Sequence, residues 1–178
     1  MASAISRKWS YRAGYVLLCG VLIFFKMLPL GTVPSRIPGP DLIFVFTAAW
    51  VLRRPVYVPV LAIAGVHFLT DLMFLRPPGL WTALCLLGYE FLRTRRFGPV
   101  EITLPVEIIL VALTFSATVV AYLLVLKLLL VPAPGLLPMA LHVLTTIAAY
   151  PFAVAISHFI FDVKRGRRGD VDADGDTA

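Results

Sequence analysis

The chain is 178 residues long, 60% hydrophobic and only 15% charged, with a formal net charge of +6; its mean hydropathy is +0.90. A soluble domain carries about 25% charged residues, so the composition excludes an ordinary soluble enzyme or binding domain. The basic excess does not read as a nucleic-acid footprint, because the charges sit in short clusters between long apolar runs, where membrane-topology signals lie.

A helix needs about 20 apolar residues to cross roughly 30 Å of hydrocarbon, and inside lipid only helix bundles or closed barrels satisfy their own backbone hydrogen bonds. The runs here are continuous rather than alternating, so the expected fold is all-α: an integral membrane bundle of about six transmembrane helices. Arg7, Lys8 and Arg12 precede the apolar stretch from Ala13 to Phe25, a pattern that a secretory signal shares. Lys26-Met27-Leu28-Pro29-Leu30 follows in place of a small-residue cleavage site, so residues 13–30 are expected to form an uncleaved first span.

The second span, 41–53, opens after Pro38-Gly39-Pro40 and is short, since Asp41 to Arg54 covers about 21 Å as a helix. Flanking residues snorkel, the bilayer thins, or neighbouring helices enclose it. A re-entrant hairpin over 41–75 is the alternative to two separate spans, 41–53 and 55–75. The fourth span, 78–92, is again short. Spans 104–131 and 136–161 complete a membrane domain over residues 1–163, and 164–178 is expected to be a disordered cytoplasmic tail. Pro151 should kink the sixth span, while Ala149 and Ala153 form a small-residue pair suited to close helix packing.

With six spans, one side holds Arg7, Lys8, Arg12, Arg53, Arg54, Arg93, Arg95, Arg96, Lys164, Arg165, Arg167 and Arg168, and the other only Arg36 and Arg76: 12 against 2. Lys26 and Lys127 lie near the outer ends of spans one and five and can snorkel. The asymmetry places both termini in the cytoplasm.

Ionisable groups inside spans are expensive and are weighed singly. Asp41, in the first turn of span two, reads as a helix cap. His67 and Asp71 share a face of span three, and His158 and Asp162 repeat that spacing in span six. The two pairs fall at opposite ends, so helix-end hydrogen bonding is expected rather than a shared metal or proton site. Glu90, Glu101 and Glu107 flank the basic Arg93-Thr94-Arg95-Arg96 loop and are expected to make interfacial ion pairs of little energetic weight. Cys19 and Cys85 both fall within spans and suggest neither a disulfide framework nor a metal site. The tail, Asp170-Val171-Asp172-Ala173-Asp174-Gly175-Asp176, matches the start of a calcium loop, but the sequence ends at Ala178, before the twelfth position where such a loop carries its glutamate. No nucleophile–base arrangement, phosphate loop or zinc spacing is visible, so no catalytic residue, metal or cofactor is expected.

The ordered set Gly39-Pro40-Asp41-Leu42-Ile43-Phe44, Trp50-Val51-Leu52-Arg53-Arg54-Pro55, Asp71-Leu72-Met73 and Pro78-Gly79-Leu80 resembles the bacterial rod shape-determining protein family MreD over residues 38–92. The last turn reads Pro77-Pro78-Gly79, and Val66-His67-Phe68-Leu69-Thr70 precedes Asp71; both depart from the family pattern. The resemblance implies a fold similar to the substrate-binding subunits of energy-coupling-factor transporters. It also implies a non-catalytic role in the cell-elongation complex of the inner membrane. The implied partners are MreC and, through it, MreB, a RodA-type glycosyltransferase and a class-B penicillin-binding transpeptidase. Pro40, Asp41, Trp50, Arg53, Arg54, Pro55, Asp71, Pro78 and Gly79 are the motif residues expected to form or support an interaction surface. Arg53 and Arg54 could equally anchor to anionic headgroups. A vitamin-type transporter subunit, with Asp41, His67, Asp71 and Arg76 as outer-side polar groups, is the alternative.

Overall fold

A computed structural model describes residues 2–28, 38–95 and 103–161, with side chains from residue 8 to residue 159 within those ranges. Arg36, Arg96, Glu101, Asp162, the end of the first expected span at 29–30 and the tail 164–178 lie outside the described residues.

All regular structure among the described residues is helical: α1 (Ala2–Met27), α2 (Leu42–Arg53), a short 3-10 turn (Pro55–Tyr57), α3 (Val60–Met73), α4 (Leu80–Arg95), α5 (Leu104–Leu128) and α6 (Leu136–Phe161). Three of these are long and apolar enough to cross a membrane, over Lys8–Met27, Leu104–Leu128 and Leu136–Phe159. Helices α2 and α3 are apolar but shorter. The first helix starts well before the expected residue 13, so Lys8 and Arg12 ride on it as its first turns rather than preceding it. Pro55 has no N–H to donate, and the chain from Arg54 to Pro59 makes a 3-10 turn before α3 begins at Val60. The third helix is therefore shorter than 55–75.

Helix α2 is the centre of the bundle. It packs on α6, α4 and α1, while α3 joins α1 to α4, and α5 joins α4 to α6. Every residue of α2 from Ile43 to Arg53 is buried, as expected of a helix that is apolar all round. Enclosure by neighbours thus explains how a 12-residue helix persists at about 18 Å, well below the bilayer core. The turn after α2 receives Arg12 from α1, bonded to the Val56 carbonyl at 3.4 Å, and Arg93 from the last turn of α4, bonded to the Val58 carbonyl at 3.3 Å. It therefore sits level with the last turn of α4. Tyr11 stacks on Tyr57 at 4.2 Å and closes the same joint.

Helix α5 meets α4 where Gly88 faces Thr114 and Thr118. A Cβ at Gly88 would lie 2.9 Å from the Thr114 Cγ2 and 3.2 Å from the Thr118 Oγ1, so the glycine sets the closeness of that crossing. Helix α6 runs unbroken through Pro151, with Tyr150, Ala153, Val154 and Ser157 buried along its inner face.

Candidate functional site

The motif residues converge on polar joints that fix α2 and the α3–α4 hairpin. At the start of α2, the Asp41 Oδ1 accepts from the Phe44 N–H at 3.1 Å, which satisfies one of the free donors of the first turn. Asp41 in turn donates its own N–H to the Thr146 Oγ1 of α6 at 3.0 Å. The Pro38-Gly39-Pro40 approach is held by the same helix: Thr145 donates to the Pro38 carbonyl at 3.1 Å, and the His142 Nδ1 lies 2.9 Å from the Gly39 carbonyl. A carbonyl only accepts, so Nδ1 carries the proton in this bond.

Halfway along α2, Thr47 meets the Tyr15 hydroxyl of α1 at 2.9 Å, and the Trp50 indole N–H donates to the Ser157 Oγ of α6 at 3.0 Å. Asp41 and Trp50 meet α6 at Thr146 and Ser157 respectively, so α2 and α6 run parallel with their polar contacts in step. At the C-terminal end Arg53 forks onto Glu107 of α5, its Nε 3.3 Å from Oε1 and an Nη 3.5 Å from Oε2. Tyr150 donates to the Glu107 Oε1 at 2.6 Å. Glu107 is 1% exposed.

The second joint lies between α3 and α4. Asp71, on α3, places one carboxylate oxygen at the N-terminus of α4, where it accepts from the Gly79 N–H at 3.0 Å, the Thr82 N–H at 3.1 Å and the Thr82 hydroxyl at 2.8 Å. It thus caps a helix other than its own, and the helix dipole favours its charge there. Gly79 adopts φ +84°, a left-handed conformation that glycine takes without a Cβ penalty. One turn below, His67 Nε2 lies 3.0 Å from the Tyr89 hydroxyl. The His67 Nδ1 and the second Asp71 oxygen are buried with no hydrogen-bond partner.

Several expectations change. Glu107, expected as an interfacial partner of the 93–96 loop, is buried against Arg53, because α5 starts at Leu104 with Pro105 in its first turn and carries it inside. Glu90 does stay exposed, 3.6 Å from Arg93. Arg53 is 9% exposed and its guanidinium is directed at Glu107; Arg54 is half-buried beside it. Of the nine motif residues, Asp41, Trp50, Arg53 and Asp71 are buried within the chain and hold helices together, so any part they take in an interaction surface is a supporting one. Pro40, Pro55 and Gly79 are half-buried, and Pro78 is exposed. Asp41 behaves as the expected cap, and the His67/Asp71 face serves hydrogen bonding between helices. Among the described residues no three His, Cys, Asp or Glu side chains group to hold a metal; Cys19 and Cys85 are free and buried.

Thr146, Ser157, Tyr150, Tyr89 and Thr82 escaped the sequence reading, since hydroxyl groups inside apolar helices carry no spacing signal of their own. Glu107 had one: a carboxylate opening a run free of charge as far as Lys127, which marks an intramembrane ionisable group. Comparison of the chain with family models, with curated proteins and with solved structures returned no match.

Proposed function

We propose that the chain is a non-catalytic membrane scaffold of the bacterial cell-elongation complex, similar to MreD, that supports peptidoglycan synthesis through MreC. In this reading it is a multi-pass inner-membrane protein with both termini in the cytoplasm, linked indirectly to MreB, a RodA-type glycosyltransferase and a class-B penicillin-binding transpeptidase. The observation that carries it is the convergence of the motif residues: Asp41, Trp50 and Arg53 each tie α2 to another helix or cap it, and Asp71 and Gly79 build the α3–α4 turn. A short helix locked between long ones gives a rigid body, and a partner in lipid is then recognised through van der Waals fit of helix faces. Depletion in the source bacterium should abolish rod shape, and tagged protein should co-purify with MreC. Normal shape after clean deletion together with no MreC association rejects the proposal.

A second reading, a substrate-binding subunit of a vitamin-type transporter, draws on the buried and unpartnered His67 Nδ1 and Asp71 oxygen. Such groups are few in folded proteins and call for an explanation. A vitamin retained through purification in detergent, and lost on Asp71→Ala, would favour it over the scaffold.

A further inference from the structure

Helix α3 ends in a turn that its own hydrogen bonds specify. The Phe74 N–H bonds to the Thr70 carbonyl at 2.9 Å and the Arg76 N–H to the Asp71 carbonyl at 3.0 Å, with Leu75 at φ 52° between them. A wide closing bond around one left-handed residue is a common helix ending, and here it fixes where the Arg76 side chain starts. Arg76 lies over the Trp81 ring at 4.9 Å and 5.8 Å from the centre of the Phe74 ring. Lys26, in the last turn of α1, lies over the same Phe74 ring at 4.8 Å. Two cations from separate elements thus share one aromatic ring.

A ring face attracts a cation through its quadrupole but carries no net charge, so it does not cancel the repulsion between two of them. Among the described residues neither cation has a carboxylate within ion-pair distance. The acidic groups at this end are otherwise engaged. Asp41 feels both cations across a gap, yet it is buried and caps α2, while Asp71 is buried and caps α4. The N-terminal dipoles of those two helices answer the carboxylate charges. The C-termini of α1 and α3 favour Lys26 and Arg76 singly. The pair still turns a positive field outward, since Lys26 is exposed and Arg76 half-buried.

The surroundings say what kind of anion fits. Phe25 and Met27 of α1, Leu72 and Met73 of α3, and Leu75 of the turn are all exposed, Leu75 by 94%. A free anion gains nothing from such a collar. A phospholipid matches it, with a phosphate at the height of interfacial cations and acyl chains against the apolar side chains beside them. A choline or ethanolamine headgroup brings its own cation up to the pair and is opposed; a glycerol headgroup is not. We propose that Lys26 and Arg76, seated on Phe74 and Trp81, form a binding site for the phosphate of an anionic phospholipid whose acyl chains run along the exposed side chains of α1 and α3. A phosphate held by both cations ties the end of α1 to the α3–α4 turn. The site requires only that the chain lies in a membrane, and it stands apart from the elongation-complex reading.

The test is native mass spectrometry of the full chain in detergent, titrated with dioleoyl phosphatidylglycerol or dioleoyl phosphatidylcholine. The tightest-bound lipid should be phosphatidylglycerol, and excess inorganic phosphate should not displace it. Lys26→Gln and Arg76→Gln should each weaken it about fivefold, the worth of one basic side chain at a membrane surface, while Lys26→Arg keeps the charge and the affinity. Arg95, a single cation over the Phe91 ring at 4.9 Å in the last turn of α4, is the control, and Arg95→Gln should leave that lipid in place. Lys26 is exposed, so its variants report on the site even where Arg76→Gln lowers stability. Four results would each overturn the proposal: equal affinity for the two lipids, displacement by inorganic phosphate, unchanged binding in both glutamine variants, or the same loss in Arg95→Gln.

Discussion

Helices α2 and α5 are both apolar, yet they do opposite work. In α5 one stripe faces inward, carrying Glu107, Thr114, Phe115, Thr118 and Tyr122, and the other faces carry large exposed side chains. In α2 every side is inward, and its polar contacts reach α1 at Thr47, α6 at Asp41 and Trp50, and α5 at Arg53. Lipid is as apolar as leucine, so an apolar surface alone gives a helix no reason to sit inside the bundle. What separates the two helices is the polar ties. A helix with ties on several faces is held at the centre, and one with ties on a single stripe is left at the rim.

The comparison can be broken at its strongest tie first. Arg53→Ala or Glu107→Ala removes one partner of a buried ion pair, and each should cost about 3–5 kcal/mol, read as a large fall in unfolding temperature in detergent. The double change Arg53→Met with Glu107→Leu should recover most of that loss. A single substitution that left stability unchanged would show that this pair does not hold α2 in place. Asp71→Ala should cost about 2–3 kcal/mol, because three bonds to a charged acceptor disappear and the N–H groups of Gly79 and Thr82 lose their partner; hydrogen exchange should rise first at Gly79 and Thr82. Gly88→Ala should cost about 1–3 kcal/mol by overpacking. Thr114→Ser, which removes the methyl group 2.9 Å from the added carbon, should restore part of it. Trp50→Phe and Ser157→Ala each remove one buried bond and should cost about 1 kcal/mol, with a double-mutant cycle showing coupling. On the rim, Leu113→Ala should change stability by less than about 0.5 kcal/mol; a larger effect would mean that α5 is covered on that side.

Much of the fold was legible along the chain. Apolar runs between basic clusters mark α5 and α6 closely, and Asp41 after Pro38-Gly39-Pro40 announces the start of α2 one residue before it begins. The ends of α1 and α3 were less legible. Lys8 and Arg12 suit a helix as well as a flank, and the Arg54–Pro59 turn spends residues that look helical by hydropathy. The candidate site was legible only as a set of residues, not as a geometry. Asp71 advertised a local partner, His67, whereas its bonds go to another helix.

Composition and charge spacing determined an all-helical, membrane-type bundle with a short second helix, because hydropathy and helix length are properties of single segments. Only the tertiary structure decided that α2 is the enclosed centre and that Glu107 is buried against Arg53 and Tyr150. Those facts depend on which faces meet, and a partner some 54 residues away in the chain leaves no mark in local pattern.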